Sequence, residues 1–182
     1  LVHENTSNKV IYKVIFKEEH MVEPIVAGRS FDLQEYYRYP ERFRSVFDRY
    51  IPYLTVLMNC IFWNEQYPRL LTKHYIREIL GNKDNLRLRV IGDISADVNG
   101  AVEFTEKTTS SDNPVFVYNP TADSIQDGYE GEGIVVMAVD NLPCELPKES
   151  SESFSHTLLQ FIPEIMKADF TVEDFAMVAL PP

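Results

Sequence analysis

Three apolar runs in this sequence stop abruptly on polar residues, and that pattern constrains the fold more than any other feature. "LMNCIFW" turns polar at Asn59-Cys60, "VIGDIS" closes on Asp93-Ile94-Ser95, and "GIVVMAVDN" closes on Asp140-Asn141. The run Ile51 to Trp63 is nearly continuous in apolar residues and has no helical period, as expected of a strand covered on both faces. Helical patterns lie between and after these runs. Thr72 to Leu80, "TKHYIREIL", closes at Gly81, a good residue for the left-handed end of a helix. Lys148 to Ile162 places Phe154, Leu158, Leu159, Phe161 and Ile162 on one helical face. Pro147 fits its first turn and Pro163 should kink it or start a new helix. Strands alternating with helices, the strands apolar throughout, predict an α/β unit with a mainly parallel sheet.

Other segments fill in around this frame. Ile11 to Phe16, "IYKVIF", is rich in β-branched and aromatic residues and reads as a strand, as does Arg87 to Ser95. "AVEFTEKTT" and "PVFVYN" are shorter strand candidates. Asp32 followed three residues later by Glu35 is a capping box for a helix that Pro40 should interrupt. Tyr36, Tyr39, Phe43 and Phe47 recur at helical spacing and read as a packed face. "DGYEGEG" combines three glycines with three acids and precedes a strand, so it reads as a turn and not a phosphate cradle.

Composition narrows the function classes. The 182 residues suffice for about one domain with its own core. A net charge of −11 argues against a nucleic-acid groove, which needs clustered Lys and Arg. No stretch approaches the roughly 18 consecutive apolar residues of a membrane helix. The two cysteines, Cys60 and Cys144, have no zinc-like spacing and make a poor disulfide framework, which points to a reducing, intracellular compartment. "LVHENTSNKV" lacks the pattern of a signal peptide, and both ends look cut from something longer.

In open α/β sheets ligands bind beyond the carboxyl ends of the strands, so the three polar strand ends are candidate site residues. Each also has a plain reading, because any strand end needs polar turn residues. Asp93 and Asp97 in "DISAD" are either paired carboxylates or part of a loop turning at Asn99-Gly100. No GxGxxG follows a strand, so the pyrophosphate cradle is not in this chain. "ADSIQDG" lacks the closing glutamate of a calcium loop, and no metal site is expected. His3, His20, His74 and His156 are scattered, and none faces a Ser or Cys in a nucleophile elbow.

Long stretches of the sequence resemble one family. "PYLTVLMNCIFWNEQYPRLLT", "GDISADVNGAVEF", "EGEGIVVMAVDNLPCELPKESSESF" and "FDLQEYYRYPERF" are each similar to segments of the lysine-ketoglutarate reductases. These form the N-terminal half of the bifunctional α-aminoadipic semialdehyde synthases and are similar in fold to alanine dehydrogenase and the transhydrogenase nucleotide domain. The likeness runs from about Val10 to Asp169. It implies a fragment of an oxidoreductase of lysine degradation that condenses L-lysine with 2-oxoglutarate and reduces the imine with NADPH to saccharopine. The related lysine-forming saccharopine dehydrogenase, which uses NAD, resembles the chain too, with Asn141 standing where that enzyme has a histidine. A non-catalytic remnant serving as an assembly module is the alternative of a different class.

The resemblance also implies a division of labour along the chain. Residues 1–144 would be the later part of a Rossmann-like nucleotide-binding domain and 145–182 a helical return segment toward a substrate domain. Asn59, Cys60 and Ile61 would lie along the cofactor, with Ser95 and Asp97 near it. Asp140, Asn141 and Leu142 would approach the nicotinamide end, Asp140 in a supporting catalytic role. The main catalytic lysine and histidine would lie outside the chain, leaving the isolated chain inactive. Its partners would be the rest of the same polypeptide and, in the full-length enzyme, a homo-oligomer. The compartment implied is the mitochondrial matrix for an animal-like protein and the cytoplasm otherwise.

Overall fold

The structure, a computed structural model, describes residue 7, residues 9–81 and residues 87–168. His3 and the closing "MVALPP" lie outside the described residues. The chain divides into two compact units, Leu1–Asp140 and Asn141–Pro182.

The first unit opens with the one-turn helix α1 (Glu18–Met21) and strand β1 (Val22–Pro24). Helix α2 (Leu33–Arg38) follows, then a 3₁₀ turn at Pro40–Arg42 and strand β2 (Phe43–Ser45), which pairs antiparallel with β1. Asp32 caps α2 by accepting the Glu35 N–H at 2.7 Å. The reciprocal half of the box is not made: the Glu35 carboxylate is held instead by Arg29 and Arg42, each at 3.0 Å. The helix stops before Pro40, as the sequence predicts. The aromatic series does not form one helical face, because the chain leaves the helix between Tyr36 and Phe43. Tyr36 and Phe43 pack with Val22 in a small satellite core, whereas Phe47 enters the main one. Burial pushes the Tyr36 hydroxyl up to about 12.

A 3₁₀ segment over Phe47–Tyr53 leads into the central sheet: β3 (Val56–Asn59), β4 (Val90–Asp93), β5 (Val115–Asn119), β6 (Ser124–Asp127) and β7 (Ile134–Met137). Helix α3 (Lys73–Gly81) lies between β3 and β4 in the chain. The strand order is β3-β4-β7-β5-β6. β3, β4 and β7 are mutually parallel, and β5 alone runs against its two neighbours β7 and β6. Four of the five strands therefore point the same way, the mainly parallel Rossmann-like sheet expected from the sequence.

One face of the sheet makes the core. Leu57, Ile91, Val136, Ile134, Phe116 and Tyr118 are buried there with Ile76 and Ile79 of α3, Phe47 and Ile51 of the 3₁₀ segment, and Phe104. The Phe104 and Tyr118 rings stack at 4.7 Å. At roughly 1.5–3 kcal/mol for each fully buried large apolar side chain, this layer dominates the stability of the unit. Outside it, Lys73 pairs with Glu106 and Asp123, and Arg77 also reaches Asp123. The Tyr118 hydroxyl, together with those cations, holds the Asp123 carboxyl below the usual carboxylate range.

Several strand expectations are corrected. Ile11–Phe16 pairs with no strand among the described residues: Ile11 and Ile15 face solvent, and Phe16 packs inward against Phe47 and Tyr50. Ile51–Trp63 is one strand only over Val56–Asn59, because Pro52 lies in the 3₁₀ segment before it. Nor is that strand covered on both faces, since Val56 and Met58 are each more than half exposed. "AVEFTEKTT" contributes only isolated bridges, Val102 to Leu71 and Thr109 to Val139. The polar strand β6 is absent from the sequence reading. "DGYEGEG" is the turn expected, carrying the chain from β6 across the end of β5 into β7. Gly133 takes φ +145 there, and a Cβ on it would collide with the Tyr118 carbonyl.

The second unit holds a 3₁₀ turn at Leu142–Glu145, helix α4 (Pro147–Leu159) and the short helix α5 (Ile162–Ile165). Pro147 opens α4 and Pro163 opens α5, so the sequence signals for start and restart are both realised.

Candidate functional site

Parallel pairing brings the carboxyl ends of β3, β4 and β7 to one edge of the sheet. The β3–β4 register sets Asn59 opposite Asp93, the last residue of each strand. Both are buried, and both point to the core side, the face occupied by Leu57 and Ile91 two residues earlier. A buried carboxylate is costly unless it is hydrogen-bonded, and this one is. Asn59 Nδ2 donates to Asp93 Oδ1 at 2.8 Å and to Ser95 Oγ at 3.0 Å. Ser95 Oγ donates to the same Asp93 oxygen at 2.9 Å, and Thr105 Oγ1 donates to Asp93 Oδ2 at 2.6 Å. Among the described residues no buried side-chain nitrogen or oxygen lacks a partner.

The same atoms shape the loops that leave the strands. Asn59 Oδ1 accepts the Ile61 N–H at 3.4 Å, and the Asn59 carbonyl accepts the Ile94 N–H at 2.8 Å. After β4 the chain passes through Ala96 and Asn99, both at φ 51, and the Gly100 N–H closes a turn on the Asp97 carbonyl at 2.9 Å. Asp97 itself is exposed. Of the two readings of "DISAD", the structure thus gives a turn at Asn99-Gly100, with Asp93 spent inside it. Arg69 ties the two loops together. Its guanidinium lies over the Trp63 ring at 4.7 Å and donates to the carbonyls of Asn99 and Gly100. Trp63 is held from the other side by its Nε1 donating to the Tyr67 carbonyl at 3.0 Å.

The end of β7 is built differently. Ala138 and Val139 are buried against Thr109, whose N–H donates to the Ala138 carbonyl at 2.9 Å. The Ala138 N–H returns a bond to Thr109 Oγ1 at 3.2 Å. Asp140 then emerges exposed and makes no side-chain bond among the described residues. Asn141 and Leu142 begin the second unit, where the Asn141 carbonyl accepts the Cys144 N–H at 3.1 Å.

The residues singled out in the sequence therefore fall into distinct environments. Asn59 and Ser95 meet in one network, Asn59 with its amide wholly committed and Ser95 partly accessible. Cys60, Asp97 and Asp140 stand at the rim in solvent, and Ile61 is half-buried. Sequence reasoning missed Thr105 and Arg69. Thr105 sits in "EFTEK" with no pattern to mark it, and only the fold brings it to Asp93. Arg69 was visible as the arginine of "YPRLL" but its partners lie about thirty residues away.

The chemistry of this rim suits part of a dinucleotide. Exposed carboxylates at Asp97 and Asp140 can accept from ribose hydroxyls and a carboxamide N–H, and the Ser95 oxygen, whose hydrogen goes to Asp93, can accept as well. They do not suit a pyrophosphate, which acids repel, and no glycine-rich strand-to-helix turn lies among the described residues. No group of three or more His, Cys, Asp or Glu suited to a metal ion occurs among them either.

Comparison with known proteins shows the family of the chain. The alanine dehydrogenase/PNT C-terminal domain family matches residues 64–179. The α-aminoadipic semialdehyde synthase of Arabidopsis thaliana is 38% identical over 160 residues, covering 86% of this chain and 15% of that protein. The mitochondrial α-aminoadipic semialdehyde synthase of Bos taurus is 34% identical over 183 residues, covering 93% of the chain and 20% of its own length. The NAD⁺-dependent, L-lysine-forming saccharopine dehydrogenase of Emericella nidulans is 32% identical over 112 residues, covering 57% of the chain and 26% of that protein. The chain thus spans about a fifth of the length of the synthases it matches.

Proposed function

The chain belongs to the alanine dehydrogenase/PNT C-terminal domain family, and from that premise we propose that it forms the cofactor-facing part of an oxidoreductase of lysine catabolism. The observation that carries this reading is the shared edge of the parallel strands β3, β4 and β7, with Asn59 ending β3, Ser95 and Asp97 following β4, and Asp140 following β7. The parent activity is the joining of L-lysine to 2-oxoglutarate and reduction of the product to saccharopine with NADPH. The bound pyridine nucleotide supplies hydride; the protein's part is orientation and electrostatics. Ser95 and Asp97 hold ribose hydroxyls. Asp140, with Asn141 and Leu142, serves the nicotinamide end, and its free carboxylate keeps neighbouring cationic groups protonated. Cys60 and Ile61 line the cofactor path, and Asn59 acts on it through the strand end it fixes. Residues 1–144 belong to the nucleotide domain and 145–182 to the return toward a substrate domain, with the proton-transferring residues elsewhere in the polypeptide. The compartment is the mitochondrial matrix if the parent protein is animal-like, as the animal relatives are mitochondrial, and the cytoplasm otherwise.

The test is lysine- and 2-oxoglutarate-dependent NADPH oxidation by the full-length gene product, with NADH as the competing cofactor. Asp140→Ala is expected to raise the cofactor KM or move the pH-rate profile; identical kinetics across pH would remove Asp140 from the site. One observation favours a second reading, a non-catalytic assembly module. β3 leaves Val56 and Met58 each more than half exposed, an apolar face open for assembly. Absence of any activity in the full-length product would select it.

A further inference from the structure

Phe62 is 81% exposed, although the residues on either side of it are held in place. Ile61 is fixed by its N–H on Asn59 Oδ1 at 3.4 Å, and Trp63 by Tyr67 and the Arg69 guanidinium. The backbone that carries Phe62 is thus anchored at both ends to the strand-end network. A solvent-facing phenyl ring presented from an anchored backbone is unfavourable in water, and it stands three residues beyond the end of β3, on the edge where open α/β sheets bind ligands.

We propose that Phe62 is the plate on which a planar heteroaromatic ring of a pyridine dinucleotide stacks. This inference rests on the cofactor-facing reading above and names a contact that reading does not require. Rim chemistry selects this kind of contact. The exposed charges nearest the strand ends, Asp97 and Asp140, are acids, and Arg69 is committed to Trp63 and two carbonyls. Attraction to phosphate therefore contributes little here, and the uncharged rings of the ligand are left to carry the contact. An aromatic side chain offers such a ring a π-face without needing a charge. Adenine and nicotinamide share that property.

Calorimetric titration of the full-length gene product with NADPH and NADH reads the contact without turnover. Phe62→Ala is expected to weaken binding by roughly five- to 100-fold, the loss typical of one stacked ring. Phe62→Tyr, which keeps the ring, should stay within about twofold of wild type. A parallel titration with ADP-ribose assigns the ring: weakened binding by Phe62→Ala identifies adenine, and unchanged binding identifies nicotinamide. If wild type binds the dinucleotides and Phe62→Ala binds them equally well, the stacking proposal is overturned while the cofactor reading stands. A Phe62→Tyr variant as weak as Phe62→Ala also overturns it, pointing to a packing role against another part of the polypeptide. Wild-type protein that binds neither dinucleotide overturns both.

Discussion

Asp93 closes β4 and Asp140 stands three residues beyond the neighbouring parallel strand β7, yet the chain uses the two acids in opposite ways. Asp93 is 1% exposed and accepts from Asn59, Ser95 and Thr105, so its charge joins β3, β4 and the loop beyond. Asp140 is solvent-exposed and makes no bond to a side chain among the described residues. The difference teaches that an acid at a strand end is not by itself a site. What distinguishes the two is whether the donors around the carboxylate come from the protein, leaving nothing for a ligand, or have yet to be supplied.

The comparison is broken most severely at Asp93. Asp93→Ala strands one amide and two hydroxyls in the interior and is expected to cost about 3–4 kcal/mol in urea unfolding. A loss below about 1 kcal/mol would show that the network does not hold the strand ends. Asn59→Ala leaves Asp93 its two hydroxyl donors and should cost about 2 kcal/mol by the same measurement. The Asn59/Asp93 double-mutant cycle sharpens the point, with strong non-additivity expected for groups in direct contact. At the small end, Asp140→Asn should leave stability within about 0.5 kcal/mol of wild type. A larger drop would mean that the Asp140 carboxylate is structural as well.

Much of the frame was legible in the sequence, and the reasons are local. β7, the core of β5, the course of α3, the prolines in the first turns of α4 and α5, and the Asp32 cap all follow from period, composition or a single residue's geometry. Pairing was not legible. Ile11–Phe16 has the side chains of a strand but no partner strand among the described residues, whereas Ser124–Asp127 looks like loop and becomes β6 because Val117 and Tyr118 lie opposite it. The polar strand ends were read as a group, but only the register shows that Asn59 faces Asp93. No sequence signal brings Thr105 to the same carboxylate, since that contact depends on the turn built by Ala96, Asn99 and Gly100. The rim was thus foreseeable as a place, while the roles of its residues depended on which of them the fold had already satisfied.

The position of β7 has a consequence for how the sheet assembles. The β5–β6 hairpin needs only a short loop and can form early. β7 must then pair with β5 on one side and reach back to β4 on the other, across the forty residues of chain between β4 and β7. Loop-closure entropy opposes that parallel pairing more than it opposes the hairpin, and in the paired sheet Gly133 is turned beneath the Tyr118 carbonyl. β7 is therefore the seam of the sheet. Until it closes, the hairpin and the half that carries the rim are two separate pieces, and the three strand ends share no edge.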